Sequence, residues 1–201
     1  MADTAQKSLD PVKFKNPDVT AKGEPRAFVR LTKLDTLWFN TGTLCNIECA
    51  NCYIESSPRN DRLAYLTIDE VCAYLDEIEQ DKLGTRLIAF TGGEPFMNPD
   101  MIAMLDVSLA RGFAVLVLTN AMRPMMRFAD SLATLRQQHG DKLDMRVSID
   151  HYTPELHEKE RGPKSWQPMI DGLKWLTEQG FRLAAAGRTY WNESGPDMRT
   201  A

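Results

Sequence analysis

The sequence predicts an α/β fold, a parallel sheet of about five βα-type units forming a partial (β/α) barrel. Three observations carry this reading. Short apolar runs recur along the chain, stretches with helical periodicity separate them, and polar or glycine-rich residues gather just after each run. A closed eight-unit barrel does not fit in 201 residues, whereas an open one does.

Residues 1–30 mix Ala, Lys, Asp, Pro and Gly without periodicity and are expected to form a flexible arm ahead of a core domain over 31–201. The first strand is Thr36-Leu37-Trp38-Phe39, followed by a Gly- and Cys-containing stretch from Asn40 to Ser57. A helix starts at Thr67, where Thr67 and Glu70 make a capping-box pair, and Ile68, Val71, Cys72, Leu75 and Ile78 share one face.

Leu87-Ile88-Ala89-Phe90 is continuously apolar, as in a strand buried on both faces, and the turn Thr91-Gly92-Gly93-Glu94-Pro95 follows. Asn98 is the expected N-cap of the next helix, with Pro99 in its first turn, Ile102, Leu105 and Leu109 as its buried stripe and Gly112 as its stop. The third strand, Ala114 to Leu118, ends in Thr119-Asn120, and a helical stretch runs to about His139. The fourth strand is Met145 to Ile149, ending at Asp150. After a long polar connection comes a helix marked by Met169, Ile170, Leu173 and Leu176, stopped by Gly180 and followed by a fifth strand, Phe181 to Ala186.

Composition narrows the function classes. A net charge of -4 leaves no basic footprint for nucleic acid or an anionic membrane. No stretch approaches the roughly 20 apolar residues of a membrane span, and Met1 to Pro25 lacks the apolar segment of a signal peptide. The expected location is therefore cytoplasmic.

Cys45, Cys49 and Cys52 form C-x3-C-x2-C on the loop after the first strand. Three thiols so close in a chain without an export signal point to metal before disulfide. Three ligands leave one corner of a soft-metal centre open. The spacing admits an iron–sulfur centre, a zinc site completed by His or Asp, or unrelated thiols. Cys72, on an apolar helical face, is expected to be a small buried hydrophobe. His139, His151 and His157 show no catalytic pairing, and Met122, Met125 and Met126 are expected to pack a helix.

With Tyr53 after the third cysteine and Gly92-Gly93-Glu94-Pro95 after the second strand, the sequence resembles the radical S-adenosylmethionine (SAM) enzymes. The resemblance implies that Cys45, Cys49 and Cys52 hold a [4Fe-4S] cluster whose open iron is chelated by SAM. The reduced cluster then cleaves SAM to methionine and a 5'-deoxyadenosyl radical. It places Tyr53 near the adenine and gives Gly92, Gly93 and Glu94 to the methionyl amine. In the fourth unit, Val147-Ser148-Ile149-Asp150, Leu156-His157-Glu158, Arg161-Gly162 and Trp166 look like the stretch common in family members that modify peptides or carry extra clusters. There Ser148 would contact the SAM ribose or carboxylate and Arg161 its carboxylate, with Asp150 and Thr119-Asn120 as lesser candidates.

The implied partners are SAM, a peptide or small-molecule substrate, and a reductant such as flavodoxin or ferredoxin. Two departures stand out. Ala184-Ala185-Ala186-Gly187-Arg188 replaces a Gly-x-Ile-x-Gly-like pattern, and five units stand where the family has six. The chain thus reads as a shortened relative or the front of a longer protein, expected to be incomplete at its C-terminus. The competing reading from another class is a non-catalytic iron–sulfur or zinc module, with a purely structural α/β protein third.

Overall fold

A computed structural model describes residues 11, 13–188 and 193–196. Contacts divide the chain into two units, Met1–Thr32 and Lys33–Ala201. Among its described residues the first unit holds one bridge, Val19 to Pro25, and a turn in which Gly23 N donates to the Thr20 carbonyl at 2.9 Å.

Among its described residues the second unit contains five strands: β1 (Thr36–Asn40), β2 (Leu87–Thr91), β3 (Ala114–Thr119), β4 (Leu143–Ser148) and β5 (Arg182–Ala186). They form one parallel sheet in the order β1-β2-β3-β4-β5. The helices between are α1 (Ile68–Gln80), α2 (Met101–Ala110), α3 (Arg123–Met126), α4 (Ala129–His139), α5 (Pro154–Arg161) and α6 (Trp166–Glu178). Each strand joins the next through helical structure, because parallel neighbours cannot be linked by a tight hairpin.

One face of the sheet supplies Phe39, Ile88, Phe90, Val115, Val117, Met145 and Val147 to a core shared with Leu75, Leu105, Leu132 and Leu176 from the helices. The opposite, inner face of the partial barrel is less covered: Trp38 remains 44% exposed on it. The difference is written in the strands. Ile88, Ala89 and Phe90 of central β2 are fully buried, whereas β4 (Leu-Asp-Met-Arg-Val-Ser) alternates buried with half-buried positions.

The capping box at Thr67 and Glu70 forms as expected, and Gly112 and Gly180 follow the ends of α2 and α6 with φ of 93° and 74°. Elsewhere the structure corrects the sequence reading. Asp100, not Asn98, is the N-cap of α2. The Asn98 amide donates to the Thr41 and Leu66 carbonyls at 3.1 and 2.8 Å, so it ties the loop after β1 to the entry of α1. The Asp100 carboxylate accepts from Ile68 N at 3.2 Å, serving α1 rather than its own helix.

β4 starts two residues earlier than Met145 and stops at Ser148, and β5 begins at Arg182. The stretch after β3 is two helices, with Met122 and Met125 buried in the core. The polar connection before Trp166 contains α5, whose buried residues are His157 and Glu160. A helix without an apolar stripe leaves no periodic signal to read. Cys72 is only half-buried, at the margin of α1's apolar face.

Candidate functional site

The loop from Thr41 to Ser57 leaves β1 and lies across the C-terminal ends of the strands, and three sets of contacts fix its course. The first is the turn after β2. Gly93 N donates to the Gly42 carbonyl at 2.9 Å and Glu94 N to the Leu44 carbonyl at 3.0 Å. A Cβ at Gly93 would collide with the Leu44 carbonyl, so a glycine is needed for the two backbones to approach this closely. Gly92, at φ 143°, turns the chain under Thr41.

The second set radiates from Glu94, which is 2% exposed. Its Oε1 accepts from Thr119 Oγ1 at 2.8 Å and Phe96 N at 3.2 Å, and its Oε2 accepts from Asn120 N at 2.8 Å. Burial pushes its carboxyl up to about 7 against these stabilising bonds. The Asn120 amide donates to Asn46 Oδ1 at 2.8 Å and lies 3.9 Å from Cys45 Sγ.

The third set comes from α5 and the end of β5. Glu160, 3% exposed, accepts from Asn51 N at 3.0 Å and Asn51 Nδ2 at 2.8 Å, and its carbonyl accepts from Ala50 N at 2.7 Å. Arg188 pairs with Glu160 at 2.8 Å and with Asp150 at 2.7 Å, and donates to the Asn51 carbonyl at 2.6 Å. Arg161 Nε lies 2.7 Å from Asp150 Oδ2, so one buried carboxylate serves two guanidiniums. These cations hold the Asp150 carboxyl below its ordinary value despite burial.

The result is a cavity of about 140 Å³. Among the residues singled out from sequence, Cys45, Cys49, Cys52, Tyr53, Gly92, Gly93, Thr119, Asn120, Ser148 and Arg161 all line it. Tyr53 stands at its rim, 98% exposed. Glu94 and Asp150 do not line it but support groups that do: Glu94 the turn after β3, Asp150 the two arginines. Sequence reasoning missed Arg188, Ser56, Asn46 and Glu160. Arg188 and Ser56 line the cavity, and the Ser56 hydroxyl is buried without a hydrogen-bond partner among the described residues.

The thiol chemistry fits a soft-metal cluster. Burial pushes the Cys45 thiol up to about 12 and raises that of Cys49, while Arg161 and Arg188 pull Cys49 back down. The neutral forms of Cys45 and Cys49 are thus favoured without a metal, and a metal centre would replace their protons with stronger bonds. No three His, Cys, Asp or Glu side chains among the described residues are arranged to hold a single metal ion. Three thiols, and no His, Asp or Glu among the described residues, line the cavity, which suits a multi-iron centre with an open corner better than a four-ligand structural zinc.

Of the histidines, His151 accepts from Thr153 N at 2.9 Å through Nδ1 and approaches Glu193 at 3.1 Å through Nε2. His157 departs from the expectation of a surface or hydrogen-bonded ring. It is fully buried, edge-on to Trp166, with neither nitrogen hydrogen-bonded among the described residues. Burial, with help from the Arg161 charge, lowers its pKa to about 4 from 6.5.

His157 and Glu94 set opposing pH dependences of stability. Unfolding lets His157 take up a proton between about pH 4 and 6.5, so its contribution rises with pH across that window. Glu94 holds its proton in the folded state between 4.5 and about 7, so its contribution falls as pH rises there. In the metal-free protein, Glu94→Gln is expected to leave a urea midpoint that climbs with pH, and His157→Phe one that declines. Identical pH profiles for both variants and the parent would remove these two groups as the cause.

Comparison with known proteins agrees with this geometry. The Radical SAM superfamily profile matches residues 39–190. The antilisterial bacteriocin subtilosin biosynthesis protein AlbA of Bacillus subtilis is 30% identical over 143 residues, covering 71% of this chain and 30% of its own. The mycofactocin maturase MftC of Mycobacterium tuberculosis is 28% identical, covering 68% of this chain and 33% of its own. The chain therefore spans about a third of the length of these curated relatives. In fold, it matches the crystal structure of Streptococcus suis SuiB bound to S-adenosylmethionine with a TM-score of 0.66 at 17% identity, over 83% of this chain and 36% of that one. With the family profile spanning most of the second unit and the cysteine loop, glycine turn and parallel sheet in place, the chain belongs to the radical SAM superfamily, whose members use a [4Fe-4S] cluster and S-adenosylmethionine.

Proposed function

We propose that Cys45, Cys49 and Cys52 hold a [4Fe-4S] cluster and that SAM occupies the remaining cavity, for radical modification of a peptide. The observation that carries this is the convergence of three thiols, the Gly92-Gly93 turn, Ser148 and Arg161 on one cavity. When bound, these cofactors supply reductive cleavage of SAM to methionine and a 5'-deoxyadenosyl radical.

The chain's own residues bind and orient. Gly92 and Gly93 let a ligand approach the backbone closely. Arg161, anchored by Asp150, faces the cavity as a site for the SAM carboxylate, and Ser148 offers a hydroxyl for the ribose or carboxylate. Glu94 favours an ammonium over the turn, acting from beneath through the Thr119 and Asn120 it holds, with Tyr53 closing over the adenine from the rim. A peptide substrate is favoured because the relatives include a bacteriocin biosynthesis protein and a maturase, and SuiB has been crystallised with the precursor peptide SuiA. Thiol ligation and oxygen sensitivity favour a reducing cytoplasm, with a protein such as flavodoxin or ferredoxin as electron donor. Among the described residues no helix is long and apolar enough to cross a membrane.

Anaerobic reconstitution followed by metal analysis, visible spectroscopy and assay of 5'-deoxyadenosine tests this reading. The expected result is iron and sulfide in equal amounts, a spectrum that changes on adding SAM, and reductant-dependent 5'-deoxyadenosine. Tetrahedral zinc with no response to SAM would instead support a metal-binding module without catalysis.

A further inference from the structure

The inner face of β4 carries a charge that nothing described so far employs. Leu143, Met145 and Val147 point into the helix-side core, which turns Asp144, Arg146 and Ser148 to the inner face. Parallel register sets Arg146 between Leu118 of β3 and Ala184 of β5, so neither neighbour offers an acceptor. Asp144, the nearest carboxylate along the strand, pairs with Arg182 at 3.3 Å instead. Among the described residues the Arg146 side chain makes no hydrogen bond or ion pair, although it is half-buried.

Its position relative to the cofactor cavity is equally specific. Ser148, the next inward residue on β4, lines that cavity, as does Leu118 beside Arg146. Two residues of strand place Arg146 roughly 6.6 Å below Ser148. There it borders a second cavity of about 300 Å³, lined by apolar residues such as Leu87, Leu116 and Ala184 and by the Asp144–Arg182 pair. With Asp144 answered by Arg182, the half-buried Arg146 is left as the unpaired charge of this cleft among the described residues, and its planar fork matches a carboxylate with two parallel hydrogen bonds.

We propose that Arg146 is a substrate-recognition residue that binds a carboxylate of the peptide, holding it on the inner face beneath the SAM site. This rests on the peptide-directed reading above and adds the chemical class of the group recognised. The carboxylate belongs either to an acidic side chain or to the peptide's carboxyl terminus, and the choice of probes separates the two.

The test is calorimetric titration of the 201-residue chain, metal-free and reconstituted with SAM, using blocked alanine-based pentapeptides. One carries a central glutamate, one its glutamine isostere, and one a free carboxyl terminus. At least one carboxylate peptide is expected to bind about tenfold or more tightly than the glutamine peptide. Arg146→Gln is expected to erase the difference and Arg146→Lys to keep part of it. Arg111→Gln, a cation outside this cleft that is engaged by Asp76, is expected to leave it unchanged. Circular dichroism confirms that each variant is folded.

The absence of an Arg146-dependent preference for either carboxylate peptide overturns the assignment, as does a preference that survives in Arg146→Gln. If 5'-deoxyadenosine forms while the preference is absent, only this inference fails. If the preference depends on Arg146 but no cluster assembles, it is the cofactor reading that fails.

Discussion

Alanine at Cys45, Cys49 or Cys52 is expected to abolish the iron and sulfide content of the reconstituted protein, whereas Cys72→Ala is expected to match the parent. The three loop thiols converge on one cavity, while Cys72 sits on α1 and does not line it. Each loop variant leaves two thiolates for a centre that needs three from the protein, so the loss should be near complete. Folding offers no alternative explanation. Cys45 is 5% exposed, but its side chain in the metal-free protein is a small neutral group whose truncation costs about 1 kcal/mol. Urea unfolding of the metal-free variants should therefore stay close to the parent while iron disappears. Loss of iron in Cys72→Ala to the same extent would refute the three-ligand assignment.

A comparably large effect is expected at Glu160, whose hydrogen bonds and ion pairs go to Ala50, Asn51 and Arg188 rather than to a cysteine. Its buried carboxylate receives two hydrogen bonds from Asn51, between Cys49 and Cys52, and pairs with Arg188. Glu160→Ala leaves the Asn51 donors and one contact of Arg188 unanswered. Removing one partner from such a buried set destabilises by on the order of 3 kcal/mol, and Arg188's 32% exposure pulls the figure down from the upper end. The same variant should take up less iron and lose it faster to a chelator, because the span between two ligands is no longer held. Glu160→Gln, which keeps an acceptor but not the charge, should fall between. Unchanged unfolding and unchanged iron retention in Glu160→Ala would show that the loop holds its course without this anchor.

The sequence made the centre of the site legible and its supports illegible, for a physical reason. Cysteine spacing and the Gly-Gly-Glu-Pro turn are local patterns, and each lies on a loop that directly follows a strand. The strands themselves were legible from apolar runs, since β2 is buried on both faces and β3 nearly so. Glu160 and Arg188 act on the cysteine loop across sequence separations of 109 and 137 residues, which no local pattern encodes. Glu94 shows a subtler limit. Its place after the glycines was readable, but not that its carboxylate would turn toward Thr119 and Asn120 rather than line the cavity. α5 escaped because its buried side chains are a histidine and a glutamate, not an apolar stripe.

The anchoring of the cysteine loop has a mechanical consequence. Near its start the loop is fastened to the turn after β2, through Gly42 and Leu44. Further along it is fastened to α5, after β4, through Ala50 and Asn51. It thus works as a tie rod across an arch: the stretch holding the cysteines bears on how far β2 and β4 can splay. A centre bound between the thiols would stiffen that rod where it crosses from the turn after β2 to α5.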